Sequence, residues 1–180
     1  GTLYKIAMNT ERLNADKTAP VAAQLAEIDA IKSATELPAF LGRMHRTTSA
    51  FWGDGVGLDE TDSTHYLYNI GQGGLGLARD YYFDTDEKTV QIRKKYLEFI
   101  NKQMKNFDVA VDSKKLYELE LRMAKSFYPK EKLRDPHANY HKMTIAEIKE
   151  RFPNFDWDAY LAARGATAAQ QINIAQPEAI

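Results

Sequence analysis

Two histidines four residues apart, His137 and His141, are the first candidates for chemistry in this sequence. On a helix this spacing would place both imidazoles on one face, where such a pair can bind zinc. Residue 138 is alanine, so the pair lacks the adjacent glutamate that serves as a general base, and Pro136 disfavours a regular helix at this point. We therefore interpret both histidines as solvent-facing and assign no metal ligand.

A glycine run, Gly71-Gln72-Gly73-Gly74-Leu75-Gly76, has the spacing of a dinucleotide-binding turn and follows a predicted strand. A phosphate-binding turn also needs a helix N-terminus directed at the phosphate and a second parallel strand. The residues that follow, 77–83, are instead rich in aromatic side chains. We therefore interpret the glycines as a turn that lets the backbone pass close to packed side chains, with a small nucleotide-binding enzyme as an alternative.

The remaining polar residues form no recognisable catalytic set. No serine lies in a Gly-x-Ser-x-Gly turn, and the chain contains no cysteine. Glu118 and Arg122 are four residues apart on a predicted helix, where they form a surface pair that needs no catalytic explanation. From the residues alone, no catalytic, cofactor-binding or metal-binding residue is assigned.

Composition excludes several classes of partner. The 180 residues carry 24 basic and 25 acidic side chains, and this net charge of -1 disfavours binding to nucleic acid or to anionic lipid. No apolar run approaches the roughly 20 residues that span a bilayer, so no membrane segment is predicted. The length suits one domain over residues 1–180, and a core of this size needs no disulfides.

The periodicity of apolar residues predicts a mainly helical chain. Leu37, Phe40, Leu41 and Met44, for example, follow the spacing of one buried helical face. Helices are predicted over about 20–32, 35–47, 85–106, 113–128, 144–152 and 156–163. The Gly- and Asp-rich segment 51–63 is predicted to be a loop, and 130–142 a charged connector.

Two short segments, 66–72 and 171–176, are predicted to be extended. A lone strand would leave backbone donors and acceptors unpaired, at a cost of about a few kcal/mol once buried, so we expect the two segments to pair. The predicted fold class is thus mainly α, a multi-helix lobe with one short two-stranded antiparallel β-ribbon. This pairing would bring the turn from Gly71 to Gly76 beside the end of the chain.

The sequence also suggests that the chain is an internal fragment. Leu3, Ile6 and Leu13 have near-helical spacing with no capping residue before them, which indicates a chain that begins inside a helix. The helix predicted over 113–128 carries two neighbouring apolar stripes, a surface that more than one neighbour should cover. We expect the isolated chain to expose apolar helix surface.

Three segments resemble landmarks of a known family. Gln72 to Phe83 resembles a signature of the neprilysin and endothelin-converting-enzyme family of zinc metallopeptidases. Leu133 to Thr144 resembles its second landmark in this region, and Phe155-Asp-Trp157 its third. The upstream segment Met8 to Asn14 resembles the bacterial oligopeptidase branch. The order of these segments and the spacing between them also resemble those of the family, so the resemblance covers essentially the whole chain.

The resemblance implies a two-lobed enzyme in which a catalytic lobe with His-Glu-x-x-His faces a helical lobe across an enclosed chamber. Zinc-bound water, deprotonated by the motif glutamate, would attack a peptide carbonyl in that enzyme. This chain has neither zinc motif, and the resemblance places no site residue in it. Zinc is therefore expected in the parent protein and not in this fragment, which is expected to be inactive alone.

The implied partners are the catalytic lobe of the same parent chain and the peptide substrates of the parent. The implied location is extracytoplasmic, whether periplasmic, membrane-anchored or secreted. The alternative to a peptidase fragment is a free-standing helical module whose broad aromatic faces bind another protein. The length of the natural reading frame, which for a peptidase must include His-Glu-x-x-His, discriminates between the two.

Overall fold

Eight α-helices and one four-stranded sheet form the chain in the computed structural model, which describes residues 1–180. The helices are α1 (Thr2–Ala7), α2 (Thr10–Asp16), α3 (Ala22–Asp29), α4 (Leu37–Met44), α5 (Glu87–Asn106), α6 (Ser113–Ser126), α7 (Ile145–Arg151) and α8 (Trp157–Arg164). The strands are β1 (Trp52–Asp59), β2 (Asp62–Gln72), β3 (Lys142–Thr144) and β4 (Gln171–Ile174). No helix combines the length and the apolarity that a membrane span requires.

The six predicted helices are confirmed as α3 to α8, and each of α5 to α8 begins at a residue whose side chain caps the helix. Thr144 and Glu147 form a capping box at the start of α7, in which the Thr144 side chain accepts from the Glu147 amide while the Glu147 carboxylate accepts from the Thr144 amide. Asp86 caps α5 by accepting from the amide of Thr89 at 3.0 Å. Gly165 ends α8 in the left-handed conformation, with φ of 81°.

The prediction of a loop over 51–63 is wrong, because β1 and the start of β2 form an antiparallel hairpin there. Gly53, Gly55 and Gly57 alternate along β1 and therefore share one face of the strand. Around Gly53 and Gly55 that face is open, with no atom within 4 Å of the place a Cβ would occupy. Glycines, normally a turn signal, are tolerated here because β2 pairs with every residue of β1.

The predicted pairing of the two extended segments is confirmed, but the predicted two-stranded antiparallel ribbon is wrong. The sheet has four strands in the order β1-β2-β4-β3, and β2 and β4 run parallel, with Asn69 opposite Asn173. Parallel pairing is possible because about a hundred residues connect the two strands. The other edge of β2 is already occupied by β1, and β3 pairs antiparallel with the free edge of β4.

The main core lies where α4, α7 and α8 pack against the sheet. Trp157 and Tyr160 of α8 are fully buried against Ile70 of β2. Gly42 lets α4 approach α8 closely, since a Cβ at this position would collide with the carbonyl oxygen of Tyr160. The buried residues of this core are Phe40, Leu41, Trp52, Tyr68, Ile70, Ile148, Trp157, Tyr160, Leu161, Ile172 and Ile174.

The remaining helices are covered less completely. The helices α5 and α6 pack on each other and on the 3-10 helix Arg79–Tyr82, where the rings of Tyr82 and Tyr117 stack with centroids 5.5 Å apart. The first three helices bury no residue at all. The prediction that the chain exposes apolar helix surface is confirmed by the exposure of Leu3, Ile6 and Leu13.

Candidate functional site

The glycine loop, defined as Gly71 to Gly76, connects the sheet to the α5–α6 pair. It begins at the end of β2 and leads into the 3-10 helix Arg79–Tyr82. The most specific sequence signature therefore lies at the junction of the two packed parts of the chain. We describe this junction as the candidate functional site.

A buried carboxylate, Glu120 of α6, holds the end of the loop. One oxygen accepts from the Gly76 amide at 3.2 Å and from the Tyr96 hydroxyl at 2.8 Å, and the other accepts from the Tyr82 hydroxyl at 2.9 Å. All three donors are neutral groups. Burial raises the pKa of Tyr82 and of Tyr96 well above the usual value, and the adjacent Glu120 carboxylate adds to the shift. Both tyrosines thus remain hydrogen-bond donors over the physiological pH range.

Three glycines of the loop lie in close contact with neighbouring groups. A Cβ on Gly73 would lie 3.1 Å from the backbone nitrogen of Gly53, and one on Gly76 would overlap the Tyr96 hydroxyl. Gly74 has φ of 84° and lies against the backbone of Phe51. The interpretation of the glycines as room for close approach is confirmed at these positions.

Two glutamines fix the other end of the loop. The Gln72 side chain accepts from the Tyr128 amide at 2.7 Å and donates to the Tyr128 carbonyl at 3.1 Å, joining β2 to the segment after α6. The Gln72 amide in turn donates to the side chain of Gln176 at 2.7 Å. The loop therefore lies beside the end of the chain, as the sequence predicts.

A cavity of about 330 Å³ opens beside the glycine loop. Its apolar lining includes Leu75, Leu77, Phe127 and Leu133. Its charged lining consists of Arg79, Asp80 and Lys130.

The arrangement does not suit a phosphate. A 3-10 helix follows the loop, and the next α-helix begins only at Glu87. The Gly76 amide, which a phosphate would need, is bound to the buried carboxylate of Glu120. Because that amide is occupied and no α-helix N-terminus directly follows the loop, the dinucleotide alternative is disfavoured.

The paired histidines do not form a metal site. His137 lies in the 3-10 helix His137–Asn139, whereas His141 directly precedes β3. The interpretation of both histidines as solvent-facing holds for His137 and is wrong for His141, whose ring Nδ1 is buried without a hydrogen-bond partner. The backbone amide of His141 donates to the side chain of Asn173 at 2.7 Å. No three His, Cys, Asp or Glu side chains cluster closely enough to hold a metal ion. The residues present therefore do not fit zinc.

The other two histidines have separate environments. His45 is buried in the core, where its Nδ1 lies 3.0 Å from the Tyr160 hydroxyl and its Nε2 lies 2.9 Å from the Ala50 carbonyl oxygen. His65 is exposed on β2, and its Nδ1 lies 2.7 Å from Asp62.

Sequence reasoning missed two buried aspartates of β1, because their Gly-rich surroundings are typical of turns. Asp59 forms a 2.6 Å ion pair with Lys142 and accepts from the Tyr140 hydroxyl at 2.7 Å. These donors hold the pKa of Asp59 far below its usual value, Lys142 making the largest contribution. Asp54 accepts from the Arg164 guanidinium at 2.8 Å. Both aspartates join the hairpin to distant elements.

A family model matches the whole chain, and two relatives match part of it. A sequence model described as peptidase family M13 matches residues 1–180. Mouse membrane metallo-endopeptidase-like 1 is 33% identical over 124 residues, which cover 61% of this chain and 15% of that protein. Guinea-pig endothelin-converting enzyme 1 is 30% identical over 123 residues, which cover 65% of this chain and 16% of that protein.

A solved structure shares the fold. Mycobacterium tuberculosis zinc metalloprotease ZMP1 in its open state superimposes with a TM-score of 0.83 and 27% identity. The match covers 96% of this chain and 28% of that chain. The matched segments cover about a sixth of the length of these curated relatives and just over a quarter of this solved structure.

Proposed function

The chain belongs to peptidase family M13, and from this membership we propose that it forms part of the helical, non-catalytic lobe of a zinc-dependent metalloendopeptidase. The resemblance to neprilysin and endothelin-converting enzyme is confirmed by the family match and by the relatives. The observation that carries the proposal is the superposition of nearly the whole chain on one part of a zinc metalloprotease.

In this proposal the segment has a structural role and supplies no catalytic group. Its residues do not fit zinc, so the metal and its ligands are assigned to the catalytic lobe of the same parent chain. The helical lobe would form part of the wall of a chamber that admits peptides and excludes folded proteins. No residue of this chain is assigned a catalytic role.

Exposed apolar side chains support the expectation of a covering partner. Leu3 of α1 is 84% exposed, and at the end of the β1–β2 hairpin Val56 and Tyr66 are 69% and 75% exposed. Such side chains mark surfaces that associate with other polypeptide. In the proposal, the rest of the parent protein covers them.

Location and substrates follow from the relatives by analogy. One relative is named a membrane metallo-endopeptidase-like protein, and another a converting enzyme for endothelin. We propose an extracytoplasmic peptidase that acts on peptides.

The test compares the 180-residue chain with the complete protein encoded by its reading frame. The complete protein should contain His-Glu-x-x-His, cleave a fluorogenic peptide, and lose turnover when zinc is chelated. The 180-residue chain should show neither turnover nor stoichiometric zinc binding in calorimetry. Turnover by the short chain that is abolished by His137→Ala or His141→Ala would overturn the assignment.

A second measurement addresses the covered surface. A hydrophobic dye should bind the 180-residue chain and should bind less per molecule to the complete protein. A dye-silent, strictly monomeric short chain at high concentration would instead favour a free-standing module.

A further inference from the structure

We propose that the cavity beside the glycine loop is a peptide-binding site that takes the C-terminal residue of a peptide, with its carboxylate on the loop and its apolar side chain in the cavity. This inference goes beyond the proposed function, because it assigns peptide recognition to the helical lobe itself and needs no hydrolysis.

The loop supplies free backbone donors at the wall of the cavity. Gly73, Gly74 and Leu75 all line it, and none of their amides donates to a backbone carbonyl. The amides on either side are taken, that of Gln72 by Gln176 and that of Gly76 by Glu120. Successive free amides around a glycine with positive φ form a concave anion site of the kind that captures terminal carboxylates.

The charged side chains at the cavity are complementary to one carboxylate. Arg79 and Lys130 line it together with Asp80, which leaves one net positive charge. Asp80 lies 3.3 Å from the Lys130 ammonium and 3.7 Å from the Arg79 guanidinium, and its side chain is 39% exposed. Exposed pairs of this kind are weak, so an incoming carboxylate can compete with Asp80 for the two cations.

Arg79 is positioned in advance of any ligand. Its Nε donates to the Phe127 carbonyl at 2.9 Å, and its guanidinium lies 4.8 Å from the ring centroid of Phe83. These contacts fix the cation at the wall, so little side-chain entropy is lost when an anion binds.

The apolar wall defines the rest of the ligand. Leu75, Leu77, Phe127 and Leu133 surround a space of about 330 Å³, and Leu133 is 42% exposed when nothing fills it. This volume lies at the small end of ligand sites, which suits one residue better than a long segment. A C-terminal residue carries its carboxylate and its side chain on the same Cα, so it offers both groups at the short separation that this site requires.

The experiment titrates the isotope-labelled 180-residue chain with acetyl-Ala-Leu as the free acid and as the C-terminal amide, following backbone amide resonances. The free acid should shift the resonances of Gly73, Gly74 and Leu75 in a saturable manner and bind about tenfold more tightly than the amide, since a charge-assisted hydrogen bond is lost. Equal binding of acid and amide, or shifts confined to other regions, would overturn the proposal. The absence of any saturable shift would also overturn it.

A control peptide and three variants separate the contribution of the terminal carboxylate from those of Lys130 and Leu133. Acetyl-Asp-Leu-amide carries its carboxylate on a side chain and should bind no better than the first amide; binding as tight as that of the free acid would refute the choice of a C-terminus. Lys130→Met and Leu133→Asp should each lower the affinity for the free acid several-fold. Lys149→Met, which breaks a surface pair elsewhere, should leave it unchanged. Unchanged thermal melting of all three variants shows that the fold is intact.

Discussion

Gly74 lies so close to the backbone of Phe51 that no Cβ atom fits between them. Both residues have positive φ, 84° for Gly74 and 66° for Phe51. The glycine loop thus crosses the entry to β1 at a point where two unusual backbone conformations meet. Any side chain at position 74 would therefore meet both a backbone clash and an unfavourable φ.

Replacing Gly74 therefore provides a test of the loop. Gly74→Ala should lower the free energy of unfolding by ~1–3 kcal/mol, because alanine meets both a backbone clash and a positive φ. The matched control is Gly55→Ala on β1, where nothing lies within 4 Å of the added methyl group. Chemical denaturation measures both, and equal effects of the two substitutions would contradict the close-approach interpretation.

The buried carboxylate of Glu120 gives a second prediction. Glu120→Gln keeps the shape but replaces one acceptor oxygen by a donor amide, which faces groups that are donors themselves. The free energy of unfolding should fall by ~1–3 kcal/mol, which is the cost of leaving buried polar groups without partners. Glu118→Gln, on the exposed side of the same helix, should be nearly neutral in the same denaturation experiment. An equally neutral Glu120→Gln would show that the carboxylate does not hold the loop.

Acid stability should depend on the pair of Asp59 and Lys142. The pKa of Asp59 is lowered in the folded chain, so its contribution to stability is present above the unfolded pKa and is lost as pH falls through the folded pKa. Lys142→Met removes the largest cause of this shift and should move acid unfolding to higher pH. Circular dichroism across an acid titration measures the midpoint, with Lys149→Met as the surface control. A midpoint that moves equally in both variants would argue against this role.

Alkaline stability should depend on buried tyrosines. Burial raises the pKa of Tyr82, Tyr96 and Tyr160 above the ordinary value of 10.0. Their contribution to stability is thus complete below pH 10.0 and declines at higher pH, where the unfolded chain releases the phenolic protons first. Ultraviolet absorbance should show these tyrosines ionising together with unfolding. Gradual ionisation of all ten tyrosines in a chain that stays folded would contradict their burial.

Local features were predictable from the sequence because both partners lie within one turn of chain. The capping box of Thr144 and Glu147 and the left-handed Gly165 are of this kind. The apolar stripes of α5 and α6 are likewise set by periodicity along one element. The family signature from Gln72 to Phe83 identified the part of the chain where the loop contacts converge.

The sheet required information that a linear pattern does not contain. The alternating glycines and aspartates of residues 51–63 are typical of a turn. This segment forms the strand β1 only because β2 supplies a hydrogen-bonding partner for its whole length. The parallel orientation of β2 and β4 depends on how the helices between them pack, and no residue within either strand encodes it.

What the sequence determined by itself is thus the six helices α3 to α8, the position of the glycine loop and, through its motifs, the family. Only the tertiary structure decided which charges are buried and paired. Lys142 forms an ion pair with Asp59, which is 83 residues away in the sequence, and Arg164 forms one with Asp54, which is 110 residues away. The cavity beside the loop likewise combines residues near Gly73 with Lys130 and Leu133. The physical reason is that burial and electrostatic pairing depend on distance in space, whereas helix periodicity and capping depend on distance along the chain.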